Sequence, residues 1–228
     1  LLGYACQLTT VRLDKYEVHG IDVSHYQSFI NWDRVAAQGV DFAFMKATEG
    51  QMMVDTLFVE NWEQSKTTGL KRGAYHFYRP TISAELQARH FMQAVNLDYG
   101  DLPPVLDVEV LDGVSKAKLL VGIRTWLYLT EIHYGVKPIL YSNLKFYNKY
   151  LAGHFTDYPI WVARYSNRLP RLACGTDWEF WQYGNRGRIE GIAGHVDFNV
   201  FHGTMAELES LCLQPVSVFS TTYKSISK

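Results

Sequence analysis

Two carboxylic acids, Asp107 and Glu109, sit inside the segment Pro-Pro-Val-Leu-Asp-Val-Glu-Val at residues 103–110. The apolar residues around them predict a buried strand over 104–110, and side chains two apart on a strand share a face. Burying a carboxylate without a partner is costly, and two like charges side by side are worse. A proton held by one of them relieves both penalties. A carboxyl that is still protonated near neutral pH is what a general acid needs. The competing reading of this segment alone is a strand end carrying two solvated acids.

Two further acids have comparable settings: Asp22 in Gly-Ile-Asp-Val-Ser-His (20–25) and Asp197 in Gly-His-Val-Asp-Phe-Asn (194–199). Their positions follow from the elements around them. Short β-rich apolar runs at 19–24, 41–47, 72–78, 104–110, 138–142, 159–163, 179–183 and 196–201 alternate with helical patterns. The helices are expected at 31–38, at 56–68 after a cap at Asp55, and at 84–95 after Ser83. A long one runs from Ser115 to a stop at Gly135, and shorter ones cover 144–151 and 204–212. Such alternation predicts an α/β fold with a parallel sheet, and eight strands favour closure into a TIM-like β/α barrel. The segments 169–175 and 184–194 are poor helices, the second holding four glycines. An irregular barrel follows, with incomplete helices between its last strands and some of those strands antiparallel.

Functional residues of a parallel barrel gather where strands end. Closure sets Asp22 beside Asp197, with Asp107 and Glu109 across the mouth. Lys46, near the end of the second strand, either offsets some of this charge or is a solvated lysine. Aromatics make up 14% of the 228 residues. Tyr75, Tyr141 and Trp161 near strand ends are candidate sugar platforms, with Gln182 as a hydrogen-bonding partner, and barrel packing is the competing role for each ring. His25 and His76 read as supporting or core groups, and Trp126-Leu127-Tyr128 as helix packing.

At this point the sequence resembles the glycoside hydrolase family 25 lysozymes, N-acetylmuramidases of bacterial peptidoglycan. The matching pieces are Gly-Ile-Asp-Val-Ser-His-Tyr-Gln (20–27), Phe-Met-Lys-Ala-Thr-Glu-Gly (44–50), Arg-Gly-Ala-Tyr-His-Phe-Tyr (72–78) and Pro-Val-Leu-Asp-Val-Glu (104–109). Pro-Ile-Leu-Tyr-Ser-Asn (138–143), Ile-Trp-Val-Ala-Arg-Tyr (160–165), Trp-Gln-Tyr (181–183) and Val-Asp-Phe-Asn-Val-Phe (196–201) follow in family order. The resemblance implies cleavage of the β-1,4 bond between N-acetylmuramic acid and N-acetylglucosamine, with retention. Glu109 would be the general acid and base, Asp107 would support the reacting centre, and Asp22 and Asp197 would shape the floor. It further implies substrate-assisted catalysis through the 2-acetamido oxygen, which Asp107 orients, in preference to a covalent aspartyl intermediate.

Other classes fit less well. A net charge of −1 gives no footprint for nucleic acid. A metal-dependent amidase would want histidines at ligand spacing, and no His-Glu-x-x-His or carboxylate loop occurs, so neither a metal nor a cofactor is expected. A glycan-binding protein on the same scaffold is the alternative to an enzyme. The expected domains are an N-terminal arm (1–17), a catalytic barrel (18–212) and a C-terminal tail (213–228). The start Leu-Leu-Gly-Tyr-Ala-Cys reads as the end of a signal peptide, a lipoprotein signal at Cys6, a membrane anchor or a plain apolar arm. Export to the envelope, peptidoglycan as partner, no membrane contact by the barrel and a monomer are the matching expectations. Of the three cysteines, Cys174 and Cys212 could form one bridge.

Overall fold

The strands alternate inward and outward side chains so regularly that two separate apolar clusters form on their two faces. Their arrangement comes from a computed structural model that describes residues 12–215. The strands are β1 (Val18–Val23), β2 (Phe42–Glu49), β3 (Met53–Val54), β4 (Lys71–Phe77) and β5 (Val105–Asp107). They continue as β6 (Ile139–Asn143), β7 (Ile160–Ala163), β8 (Phe180–Gly187) and β9 (Val196–Phe201). The sheet order is β1-β9-β8-β7-β6-β5-β4-β2-β3, and β1 also pairs with β2, so eight strands close a barrel. Only β9 runs against its neighbours in that ring, antiparallel to both β8 and β1. The two-residue β3 lies outside it as a hairpin on β2.

Phe42, Phe44, Val105, Ile139, Tyr141, Trp161 and Phe180 fill the interior. Their outward neighbours Ala43, Met45, Leu106, Leu140, Ile160 and Trp181 meet the helices. Phe44 stacks on Trp161 at 4.5 Å between ring centroids. Room for these rings comes from glycine: a Cβ on Gly20 would collide with Phe42, and one on Gly73 would lie 2.6 Å from Phe44. The same parity that turns Val18 and Phe42 inward carries Asp22, Lys46, Asp107, Gln182 and Asp197 to the inner face at the mouth.

The helices are α1 (Trp32–Ala36), α2 (Phe58–Ser65), α3 (Ala84–Ala94), α4 (Lys116–Tyr134), α5 (Leu144–Phe146) and α6 (Met205–Leu211). Ser83 and Ser115 cap α3 and α4 as expected, and Gly135 ends α4 in the left-handed conformation (φ 69°). α5 continues into a wider π turn over Tyr147–Leu151. Between β7 and β8, and between β8 and β9, there is no helix. Among the described residues no helix is long and apolar enough to cross a membrane.

Several expectations need correction. β5 stops at Asp107, so Glu109 lies beyond the strand rather than in it. The chain there still bonds β6 through Val108 N–H to the Tyr141 carbonyl at 2.9 Å, and the Ser142 hydroxyl bonds the Val108 carbonyl at 2.6 Å. Beyond Val108 the pairing ends. α2 begins at Phe58, later than expected and with no cap from the side chain of Leu57 before it. Asp55 divides its carboxylate: Oδ1 accepts the Leu57 N–H at 3.0 Å and Oδ2 accepts from His25. Cys174 and Cys212 are both free, the first exposed and the second buried, while Cys6 lies outside the described residues. Tyr128 is 59% exposed although Trp126 and Leu127 are buried. Three consecutive helical residues fan through about 200° and cannot all face the core.

Candidate active site

Asp22 and Asp197 are directly paired partners on β1 and β9, so the closing seam of the barrel holds two carboxyls side by side. Side-chain amides donate to both. Gln182 Nε2 donates to Asp22 Oδ2 at 2.8 Å and to Asp197 Oδ2 at 3.3 Å. Asn199 Nδ2 donates to the same Asp22 oxygen at 2.7 Å, and its own oxygen accepts from Trp161 Nε1 at 2.8 Å. Gln182 Oε1 accepts the hydroxyls of Tyr141 (2.8 Å) and Tyr165 (2.9 Å). One glutamine therefore ties two phenols to two acids.

Burial and the charge of Asp197 push the Asp22 carboxyl well above the ordinary aspartate range, against the pull of the two amide donors. Asp197 rises to about 6, chiefly through burial. Across the mouth, burial and then the neighbouring Glu109 charge push Asp107 up as well, and Lys46 opposes them. Lys46 is thus no solvated lysine: it is 9% exposed and pairs with Glu49 at 2.7 Å. Oδ1 of Asp107 is buried without a hydrogen-bond partner. Glu109 is half-buried, and Oε2 accepts from Asn143 Nδ2 at 3.2 Å. The site thus pairs one accessible carboxyl with an enclosed one that has an unused acceptor. That combination suits acid–base work at a glycosidic bond.

The candidate sugar platforms fall at different depths. Trp161 is 2% and Tyr141 5% exposed, both in the barrel interior with edge-to-face rings 4.5 Å apart. Gln182 is buried beneath the acids, and Tyr75 is partly buried on the inner face of β4. Burial and the surrounding carboxylates raise the Tyr75 and Tyr141 phenols, which keeps them as neutral donors. His76 is fully buried between Thr48 Oγ1 (2.7 Å) and Gln87 Oε1 (3.1 Å), and burial lowers it to about 3, so it is a neutral core group. Tyr165 was not singled out from sequence. Its ring is about half exposed while its hydroxyl joins the Gln182 network. Position alone could have found it, two residues past the end of β7. Among the described residues no three His, Cys, Asp or Glu side chains converge to hold a metal ion.

Comparison with known proteins decides the family. The family model described as glycosyl hydrolases family 25 matches residues 21–192. The chain belongs to that family. It is 48% identical to the uncharacterized protein YegX of Escherichia coli K12 over 86% of this chain and 73% of that one. It is 35% identical to lysozyme M1 of Streptomyces globisporus, over 87% of this chain and 72% of that one. The solved family 25 glycosyl hydrolase of Bacillus anthracis superposes with a TM-score of 0.83 at 34% identity, covering 88% of this chain and 96% of that one. As a family 25 member the chain is a glycoside hydrolase, and the acids at its mouth lie within or just beyond the matched stretch.

Proposed function

We propose that this family 25 hydrolase is a muramidase of bacterial peptidoglycan, cutting the β-1,4 bond from N-acetylmuramic acid to N-acetylglucosamine. The assignment of roles rests on the contrast between Asp107, buried with an unpartnered oxygen, and Glu109, half-buried on an Asn143 donor. Glu109 protonates the glycosidic oxygen as the bond to C1 breaks. The substrate's acetamide oxygen attacks C1 from the other face, and Asp107 accepts the acetamide N–H and stabilises the resulting oxazolinium. Glu109, now a carboxylate, takes a proton from water as it adds to C1, which regenerates the acetamide and retains configuration. Asp22 and Asp197 set the field beneath the reacting sugar. Tyr75 and Tyr165 contact sugar at the rim, while Tyr141, Trp161 and Gln182 hold the floor in place.

The substrate places the work outside the cytoplasm, at the envelope or beyond it. We further take the barrel to act as a monomer, without membrane contact of its own, and any anchoring to lie with residues before it. The test is digestion of purified peptidoglycan by the wild type and by Glu109→Gln, with new reducing ends read by borohydride reduction and mass spectrometry. Muramic-acid ends from the wild type alone support the reading. Glucosamine ends would reassign the bond. An absence of ends on several wall types would leave a glycan-binding protein instead.

A further inference from the structure

Four residues beyond Asp22, the chain presents a tyrosine to solvent on an unusually well-braced turn. After β1, the residues His25–Gln27 form one 3-10 turn, closed by a capping box between Ser24 and Gln27. Tyr26 at its crest is 79% exposed. Its ring lies against the His25 imidazole, with centroids 4.2 Å apart, which leaves its other face bare. His25 is itself held twice by Asp55 Oδ2, through Nδ1 at 2.6 Å and through its backbone N–H at 3.0 Å. Asp55 is 3% exposed and fixed in turn by the Ala47 carbonyl at the end of its backbone N–H bond (2.8 Å). On the opposite side Gln27 Nε2 donates to the His195 carbonyl at 2.9 Å, two residues before Asp197. The turn is therefore fastened to the second strand's loop on one flank and to the residue just before β9 on the other.

Such bracing has no packing purpose for Tyr26, which covers none of the barrel core. A large ring held bare on the turn that follows Asp22 suits a flat, uncharged ligand. On the muramidase reading, that ligand is at hand: a polymer cut in its interior must pass over the rim on both sides of the bond. Sugar rings offer apolar faces to aromatic rings. We propose that Tyr26 is a stacking platform for a glycan residue distal to the cleaved bond, positioned by the His25–Asp55 pair. It binds strand length rather than the reacting sugar.

The proposal rests on the muramidase reading, and the experiment separates the two. Wild type, Tyr26→Ala and Tyr26→Trp are compared on peptide-stripped glycan strands of high length and on the tetrasaccharide made of two disaccharide repeats. Tyr128→Ala, an exposed tyrosine on α4 outside the barrel, is the control. Tyr26→Ala should raise KM on long strands by roughly 3- to 10-fold with kcat within about twofold. On the tetrasaccharide it should match the wild type, and Tyr26→Trp should restore the long-strand KM. An unchanged KM on long strands, or an equal loss on both substrates, overturns the platform. A second arm measures binding of long strands to Glu109→Gln with and without Tyr26→Ala. If the wild type makes no reducing ends, the muramidase reading fails and this arm alone decides the platform: weaker binding upholds it and equal binding sinks it. Loss of a wild-type dimer in Tyr26→Ala during sedimentation would make the ring an interface between copies and also overturn the proposal.

Discussion

Asp22 and Asp197 face each other across the antiparallel seam that closes the ring, as direct partners on β1 and β9. A parallel closing strand would carry its inward residues to the mouth in another register. Here the reversed β9 starts at the mouth, so its second residue, Asp197, meets the fifth residue of β1. Two like charges at neighbouring positions destabilise a sheet unless protons or donors intervene. Both devices are used: the amides of Gln182 and Asn199 reach Asp22, and the raised values of both acids keep protons in the pair. On the muramidase reading, the seam is a place where stability is given up for the reaction.

That cost has a pH signature. Asp197 moves from the ordinary 3.8 to about 6, so between those values the folded chain keeps a proton that the unfolded chain has released. Stability contributed by this pair therefore falls as pH rises through that window. Asp197→Asn should be more stable than the wild type at pH 7 by about 1–2 kcal/mol, with the advantage gone near pH 4 and activity reduced. Thermal unfolding of both proteins at the two pH values checks this. An asparagine variant less stable at pH 7 would show that the buried Asp197 charge costs the fold nothing.

Gln182 is the hub of the floor, with four hydrogen bonds to Tyr141, Tyr165, Asp22 and Asp197. Gln182→Leu keeps the volume and strands these partners. It should lose about 2–4 kcal/mol of stability, since buried polar groups lose their partners, and kcat should fall at least about tenfold as the Asp22 carboxyl loses its orientation. Circular dichroism against denaturant and initial rates give both numbers. Full activity with lowered stability would confine Gln182 to a scaffold role.

Much of this was legible in sequence because Val18–Val23, Phe42–Glu49 and Val196–Phe201 are short β-rich apolar runs, as strands covered on both faces require. Closure of the barrel between its first and last strands then sets Asp22 beside Asp197. The end of β5 was not legible, because Val108 and Val110 continue the apolar alternation after the pairing stops at Asp107. Whether a strand continues depends on a neighbour's backbone, here that of β6, and not on the residues themselves. β3 escaped for the opposite reason: Met53–Val54 is two residues long, too short to show a period. Asp55 reads as a helix cap from its local spacing, and its Oδ1 does hold the Leu57 N–H ahead of α2, but its Oδ2 also serves His25, thirty residues earlier. Long-range side-chain bonds of this kind leave no local trace, which is also why the Gln182 hub and Tyr165 became visible only with the barrel closed.

Trp161 provides a sharp test of depth. Its indole is 2% exposed and donates Nε1 to Asn199, which in turn holds Asp22. Trp161→Phe removes the donor and leaves Asn199 Oδ1 unpaired, so stability should drop by about 1–3 kcal/mol. KM for glycan strands should stay within about twofold, because no face of the ring is open to a sugar. A large rise in KM at unchanged stability would restore Trp161 as a sugar platform.

The unpartnered oxygen of Asp107 makes the two retaining routes separable by experiment. If it accepts the acetamide N–H, the reaction depends on that group, and strands carrying free amines at C2 should be cut at least about 100-fold more slowly. Asp107→Asn should lower kcat by about 100- to 1000-fold with a small change in KM, because the bond tightens only as the oxazolinium forms. A thiazoline analogue of that bicyclic intermediate should compete with substrate in the wild type and bind far more weakly to Asp107→Asn. Intact-protein mass spectrometry during turnover supplies the opposing result: a sugar covalently attached to Asp107 would make the aspartate the nucleophile and remove the acetamide from the mechanism.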